Sequence, residues 1–280
     1  MGNVTLTFVA MTLNKLKINR KGLITLTYKG YLIDLDGTMY RGKEPIPAAT
    51  RFIARLQEAN IPFLFVTNNT TKSQEEVAEN LATHFDIHVS KETVYTGSVA
   101  TASYLKSLDK GNKVFVIGES GLKQELHEAG FITEEKNPDY VVVALDRQAR
   151  YQDFETATLA IHNGARFIST NKDTNLPSEK GLVPGAGALT ALLIASTKQQ
   201  PTYIGKPEAI IMNEALGVIG LAKEEVLMVG DNYETDIMAG IKNDIDSLLV
   251  FSGFTKPEEL LNVKEQPTYK VPSLDDWSLR

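Results

Sequence analysis

Four short polar clusters each follow directly on an apolar run: Asp34 and Asp36 in LIDLDGT, Thr67 and Asn68 in LFVTNN, Lys206 in YIGKP, and Asp231 with Asp236 in LMVGDNYETD. A carboxylate at the end of a buried strand is costly unless a positive charge meets it. Two aspartates at i and i+2 of an extended chain point to the same side, and Asp231 can approach from a neighbouring strand. Three oxygen ligands of this kind suit Mg2+, a hard cation that completes its shell with water and phosphate. The same ion offsets the repulsion between a carboxylate and an anionic phosphoryl group, so that one carboxylate can attack phosphorus. The chemistry indicated is phosphoryl transfer. Each cluster alone is ordinary, since Asp-x-Asp and Thr-Asn also make turns and caps. The reading rests on the ordered recurrence of such clusters after strands.

The elements that must position these groups alternate along the chain. Strands are expected at 31–35 and 61–67 and helices at 48–60 and 73–85, a βαβα order that implies a parallel sheet. Ser73 and Glu76 have capping-box spacing, which starts the second helix at Ser73 and leaves TNNTTK as a loop. A second alternating set follows, with strands at 113–118, 139–146 and 166–171 and helices at 122–130 and 154–164. It reads as a compact α/β unit of its own. Strands at 202–207, 225–232 and 247–253, with helices over 208–220 and 234–243, then resume the first pattern. In an open parallel sheet, ligands bind at the carboxyl ends of the strands where strand order reverses. The four clusters can therefore converge although almost two hundred residues separate the first from the last.

Composition bounds the function. The 280 residues are 42% apolar and 23% charged, as in a globular protein, and no apolar run reaches the roughly 18 residues of a membrane span. The absence of cysteine excludes disulfides, thiolate nucleophiles and cysteine-ligated metals, and four scattered histidines argue against zinc. A net charge of −6 argues against a nucleic-acid partner, which needs a basic surface. The first 30 residues hold Lys15, Lys17, Arg20, Lys21 and Lys29 and no acid, leaving 24 bases against 35 acids in the rest. The basic residues come after the apolar stretch VTLTFVAMTL, the reverse of a secretory signal. Residues 1–27 are therefore expected to be a poorly ordered extension, and the protein is expected in the cytoplasm.

Taken in order, DLDGT, VTNN, GKP and GDNYETD resemble the four motifs of the haloacid dehalogenase superfamily, phosphatase branch. Their spacing, with a long insert between the second and third, is similar to the NagD-type subfamily, which includes 4-nitrophenylphosphatases and phosphoglycolate phosphatases. The resemblance covers roughly residues 28–280. It implies a Rossmann-like parallel core with helices on both faces, built from 28–97 and 201–280, and an inserted α/β cap over 98–200. It makes Asp34 the nucleophile that forms an aspartyl-phosphate and gives Asp36 the acid/base role. Thr67 and the backbone around Asn68 would hold phosphoryl oxygens, and Lys206 would neutralise charge on the nucleophile and the transferring group. Mg2+ would be held by Asp34, Asp231 and the backbone carbonyl of Asp36. Asp236 would orient Lys206 or a metal-bound water, or else serve simply as a helix-start acid. Gly37 and Thr38 would form the turn after the nucleophile, and MYRGKEPIP a flap over the site.

A large cap of this type suits a small-molecule phosphomonoester, with the non-phosphate part of the substrate contacted by the cap. Asn171 and Asp173 in STNKDTN are candidate cap contacts, with an ordinary Asx turn as the competing reading. Arg147 and Arg150 are weaker candidates, and a homodimer is left open. Two other functions compete: a phosphomutase or phosphotransferase, which shares the aspartyl-phosphate, and a non-catalytic protein that binds a phosphate ligand.

Overall fold

The computed structural model describes residues 16–18, 24–26, 28–178 and 180–279. It divides into two compact units, Met1–Phe65 with Ala82–Ile87 and Ala215–Arg280, and Val66–Leu81 with His88–Glu214. The expectation for residues 1–27 falls largely outside the described residues; within that stretch Leu16–Ile18 and Ile24–Leu26 pair as antiparallel strands. No helix among the described residues is long and apolar enough to cross a membrane.

In the first unit the parallel strands lie in the order Tyr269–Val271, Asp246–Val250, Val226–Gly230, Gly30–Ile33, and then Phe63 to Phe65 of strand Phe63–Thr67. Every residue of Gly30–Ile33 and Val226–Gly230 is buried, which explains their unbroken apolar sequences: both faces of a parallel strand are covered. The strand that comes first in sequence lies inside the sheet, with its successor on one side and the later strands on the other. The order thus reverses between Gly30–Ile33 and Val226–Gly230, and it is at the carboxyl ends of such a pair that open α/β sheets bind their ligands. The register Ile33↔Val229, extended by a 2.9 Å bond from the Asp34 N–H to the Val229 carbonyl, brings Asp34 level with Gly230. Helix Pro47–Glu58 begins on a proline, whose fixed φ suits the first turn, and buries Ala48, Ala49, Phe52, Ile53 and Leu56 at helical spacing. Phe52 meets Tyr31 edge to face at 5.5 Å, tying helix to strand. Full burial of such a side chain contributes about 1.5–3 kcal/mol.

The second unit has its own parallel sheet, ordered Thr202–Tyr203, Arg166–Ser169, Tyr140–Val143, Lys113–Ile117, Ile132–Thr133. Strand alternation puts Phe115, Ile117, Val141, Val143 and Phe167 on one face, where they pack with Phe154, Ala157 and Ile161 of helix Tyr151–His162 and Leu193 of helix Ala186–Thr197. A hairpin, Asn175–Ser178 with Gly181–Pro184, stands apart from this sheet.

The parallel α/β class and the alternation are as the sequence predicts, with shorter elements. The expected strand 202–207 is only Thr202–Tyr203, because the Gly205 N–H turns to the Thr170 carbonyl at 2.8 Å. The expected helix over 234–243 is a π-helical turn, Tyr233–Ile237, leading into Met238–Lys242. The capping box is present: Ser73 Oγ accepts the Glu76 N–H at 3.2 Å and Glu76 Oε2 accepts the Ser73 N–H at 2.8 Å. Strand Val94–Thr96 and helix Gly97–Leu108, capped by Thr96 Oγ1, were not legible from periodicity.

Candidate active site

In the first unit, three carboxylates converge where strand order reverses. Asp34 follows strand Gly30–Ile33, Asp231 follows Val226–Gly230, and Asp236 lies one turn further on. One oxygen from each lies within 4.8 Å of the others, and the three residues are only 8%, 2% and 1% exposed. A cation held between three carboxylates at that separation, out of water, would offset the repulsion among them. The donors are all carboxylate oxygens, which suits a hard divalent ion rather than a thiophilic or imidazole-seeking one.

Two of the three carboxylates are held by hydrogen bonds from the surrounding chain. Asp231 accepts the Thr38 hydroxyl at 3.0 Å on one oxygen and the Phe254 N–H at 2.6 Å on the other, while its carbonyl accepts the Thr255 N–H at 3.1 Å. Asp236 sits in the π-turn and reaches back to accept the Asn232 N–H at 3.0 Å; π-turns of this kind recur at functional sites. Two glycines make room for Asp231. A Cβ on Gly37, which has φ +90°, would lie 2.2 Å from Asp231 Oδ2, and one on Gly253 would lie 2.0 Å from it.

Asp36 is exposed, and its carboxylate is not one of the three that converge. Its backbone bridges to Tyr40, with the Gly37 N–H donating to the Tyr40 carbonyl at 2.7 Å. Tyr40–Arg41 then pairs with Glu44–Pro45, so the expected flap is a small hairpin. The Tyr40 ring stacks on Phe85 at 4.3 Å. Burial holds its phenol well above the ordinary tyrosine range, and the charges of Asp36 and Asp34 push it the same way.

The second unit gathers the other predicted residues. Thr67 is buried, and its hydroxyl accepts the Asn69 N–H at 3.1 Å, a turn that ends the strand. Lys206 is 1% exposed. The Asn68 amide contacts the Lys206 main chain on both sides: Oδ1 accepts its N–H at 2.7 Å and Nδ2 donates to its carbonyl at 3.0 Å. Asn68 Nδ2 also donates to Asp173 Oδ2 at 3.2 Å, and Asn171 Nδ2 donates to the Asn68 carbonyl at 3.2 Å. Asn171 Oδ1 accepts the Asp173 N–H at 3.0 Å, so the Asx turn is formed by the same residues that were candidate cap contacts. Arg147 is engaged with Glu119 at 2.8 Å at the surface.

Some positions that hold the carboxylate cluster escaped sequence reasoning. The loop after strand Asp246–Val250 supplies the Phe254 N–H to Asp231 and the bond from Ser252 Oγ to the Gly37 carbonyl at 2.7 Å. The signal was present, since SLLVFSG also ends an apolar run on small residues, but no charged side chain marks it.

Comparison with known proteins places the chain among its relatives. Residues 31–132 match the family of haloacid dehalogenase-like hydrolases, and residues 203–277 match a second model of HAD-hydrolase-like chains. The chain is 50% identical over 251 residues to the 5'-nucleotidase YutF of Bacillus subtilis, covering 90% of this chain and 98% of that one. It is 51% identical to a mutant of the thermostable p-nitrophenylphosphatase of Bacillus stearothermophilus, with a TM-score of 0.82 over 91% of this chain and 99% of that one. NagD from Escherichia coli K-12 is 32% identical, with a TM-score of 0.85 over 91% of this chain and 100% of that one.

Proposed function

We propose, for a chain that belongs to the haloacid dehalogenase-like hydrolases and among them to the NagD type, that it hydrolyses small phosphomonoesters through an aspartyl-phosphate on Asp34. The enzyme is a phosphoric monoester hydrolase, as its named relatives are. What supports the route through Asp34 is its place among three buried carboxylates at the switch point of the sheet. A carboxylate there can be both a nucleophile and a cation ligand.

In this reading an Asp34 oxygen attacks phosphorus and the ester P–O bond breaks, while Asp36 gives its proton to the leaving alkoxide. That transfer leaves Asp36 ionised, so its carboxylate can next take a proton from water, which restores its acid form. That water attacks the aspartyl-phosphate, releasing inorganic phosphate and restoring Asp34. Asp34 and Asp231, with the Asp36 carbonyl, are assigned to hold Mg2+, and Asp236 to orient what surrounds it. When bound, the ion supplies charge that offsets repulsion between carboxylate and phosphoryl group. Thr67 and the backbone around Asn68 are assigned to the phosphoryl oxygens and Lys206 to the negative charge that builds during transfer. Residues 98–200 are assigned as the cap and residues 28–97 with 201–280 as the catalytic core.

The test is a panel of phosphomonoesters, including nucleoside monophosphates, sugar phosphates and 4-nitrophenyl phosphate, assayed for released phosphate with and without Mg2+. Turnover is expected only with the ion, and Asp34→Asn is expected to abolish it while the circular dichroism spectrum is unchanged. Substantial turnover by Asp34→Asn at saturating Mg2+ would overturn the assignment. Transfer of the phosphoryl group to a sugar hydroxyl without phosphate release would point to the phosphotransferase alternative.

A further inference from the structure

Lysine carries its charge at the end of four rotatable bonds, so a lysine that must hold a charge at one point needs its root fixed. At Lys206 the root is fixed by a side chain far away in sequence. A primary amide offers one acceptor and a two-proton donor, and Asn68 applies both to the main chain of one residue, at 2.7 Å to the Lys206 N–H and 3.0 Å to its carbonyl. That is the pairing a neighbouring β-strand would give, delivered where strand Thr202–Tyr203 has already ended. Two bonds to the peptide groups flanking one Cα fix both planes and hence the direction in which the side chain leaves.

The surroundings serve the same contact. The Nδ2 of Asn68 donates to Asp173 Oδ2 at 3.2 Å as well as to Lys206. Its backbone is held by Asn171, which donates to the Asn68 carbonyl at 3.2 Å while accepting the Asp173 N–H at 3.0 Å. Asn171 is 5% exposed, as a structural tie would be. Gly205 leaves the space: a Cβ there would lie 2.5 Å from Asn68 Oδ1 and 2.6 Å from the Thr170 carbonyl.

We infer that the Asn68 side chain is a positioning residue for Lys206, with Asn171 and Asp173 bracing it, and that its contribution to catalysis passes through the lysine. The inference rests on the assignment of Lys206 to the charge of the transferring group. It gives Asn68 a role for its amide in addition to the backbone role proposed above, and it turns the candidate cap contacts Asn171 and Asp173 into braces of the site.

A double-mutant cycle with 4-nitrophenyl phosphate and saturating Mg2+ separates the two claims. Asn68→Ala is expected to lower kcat/KM about ten- to a hundredfold, the range typical of groups that orient a functional side chain, and in a Lys206→Ala background to lower it less than about threefold. A slow Lys206→Ala enzyme that slows a further tenfold or more on Asn68→Ala would overturn the positioning role and leave the assignment of Lys206 standing. A Lys206→Ala enzyme with the wild-type rate would overturn that assignment and the inference with it. Asn68→Asp, of the same size, covers the case in which Asn68→Ala does not fold. Ionised, it keeps the acceptor, loses the donor and sets a second carboxylate against Asp173 Oδ2; protonated, it regains one donor and that repulsion is removed. Its rate relative to wild type is expected to recover as pH falls, and a deficit that stays constant or widens would count against the inference.

Discussion

Replacing Gly253 with alanine tests the carboxylate cluster without touching a charged residue. The added Cβ would lie 2.0 Å from Asp231 Oδ2, where real contacts stay beyond 3.0 Å, so the carboxylate must retreat by about 1 Å. The loop cannot retreat instead at low cost. Gly37 Cα lies 2.8 Å from the same Cβ, and Ser252 is bonded to the Gly37 carbonyl at 2.7 Å. Retreat stretches the 2.6 Å bond from the Phe254 N–H. A hydrogen bond to a charged group is worth about 1.5–3 kcal/mol, and overpacking a fitted site costs about 1–3 kcal/mol. The expected loss of stability is about 3 kcal/mol, read by thermal or urea unfolding. Displacing a positioned group by about 1 Å costs on the order of a hundredfold in rate, and the Mg2+ concentration for half-maximal activity should rise about ten- to a hundredfold. The control is Gly217→Ala in helix Ala209–Ile219, where a Cβ meets nothing within 4 Å and alanine should add about 0.5–1 kcal/mol of stability. If Gly253→Ala kept wild-type rate and Mg2+ dependence, the claim that Asp231 must stay where Thr38 and Phe254 hold it would be refuted.

Two further outcomes follow from the same geometry. Tyr40→Phe should leave stability at pH 7 within about 1 kcal/mol, because the ring keeps its stack on Phe85. In the wild type, burial raises the folded-state phenol above its unfolded value near 10, so above that pH the unfolded chain loses a proton that the fold retains. Stability therefore falls as pH rises through this window, by up to about 1.4 kcal/mol per pH unit for this one group; Tyr40→Phe should reduce that slope, and identical slopes in alkaline unfolding would show the phenol is not responsible. Asp36→Asn should lower kcat/KM, which reports formation of the phosphoenzyme, by about 10²–10⁴-fold for an alkyl phosphate and by much less for 4-nitrophenyl phosphate, because a nitrophenolate leaves with little help from an acid; equal losses of kcat/KM would contradict the acid role of Asp36, whereas kcat falls for both substrates if the shared hydrolysis of the aspartyl-phosphate is rate-limiting.

How much of this was legible in the sequence depends on whether a residue's task is set locally or by a distant neighbour. Strands buried on both faces announce themselves as unbroken apolar runs, and the acids that end them stand out by contrast, so Asp34 and Asp231 could be picked out from sequence alone. The Ser73–Glu76 box was equally readable, because both partners lie within one turn. Asp236 was half legible. Its spacing placed it one turn into a helix, whereas the π-turn aims its carboxylate back toward Asp34 and Asp231, and a change of helical pitch leaves no periodic trace.

Gly253, Gly205 and the side chain of Asn68 were illegible for a stronger reason. A glycine in a sequence signals a turn, but what Gly253 accommodates is a carboxylate 22 positions earlier, and what Gly205 accommodates is an amide 137 positions earlier. Asn68 was read for its backbone, beside the phosphoryl oxygens, and Lys206 for its charge. Only the fold shows that the amide of one grips the backbone of the other. The buried acids stood out because charge in an apolar context is costly wherever it occurs. The groups that hold them were missed because a hydrogen bond or a missing Cβ acquires its meaning only from its partner, and partners are assigned by topology.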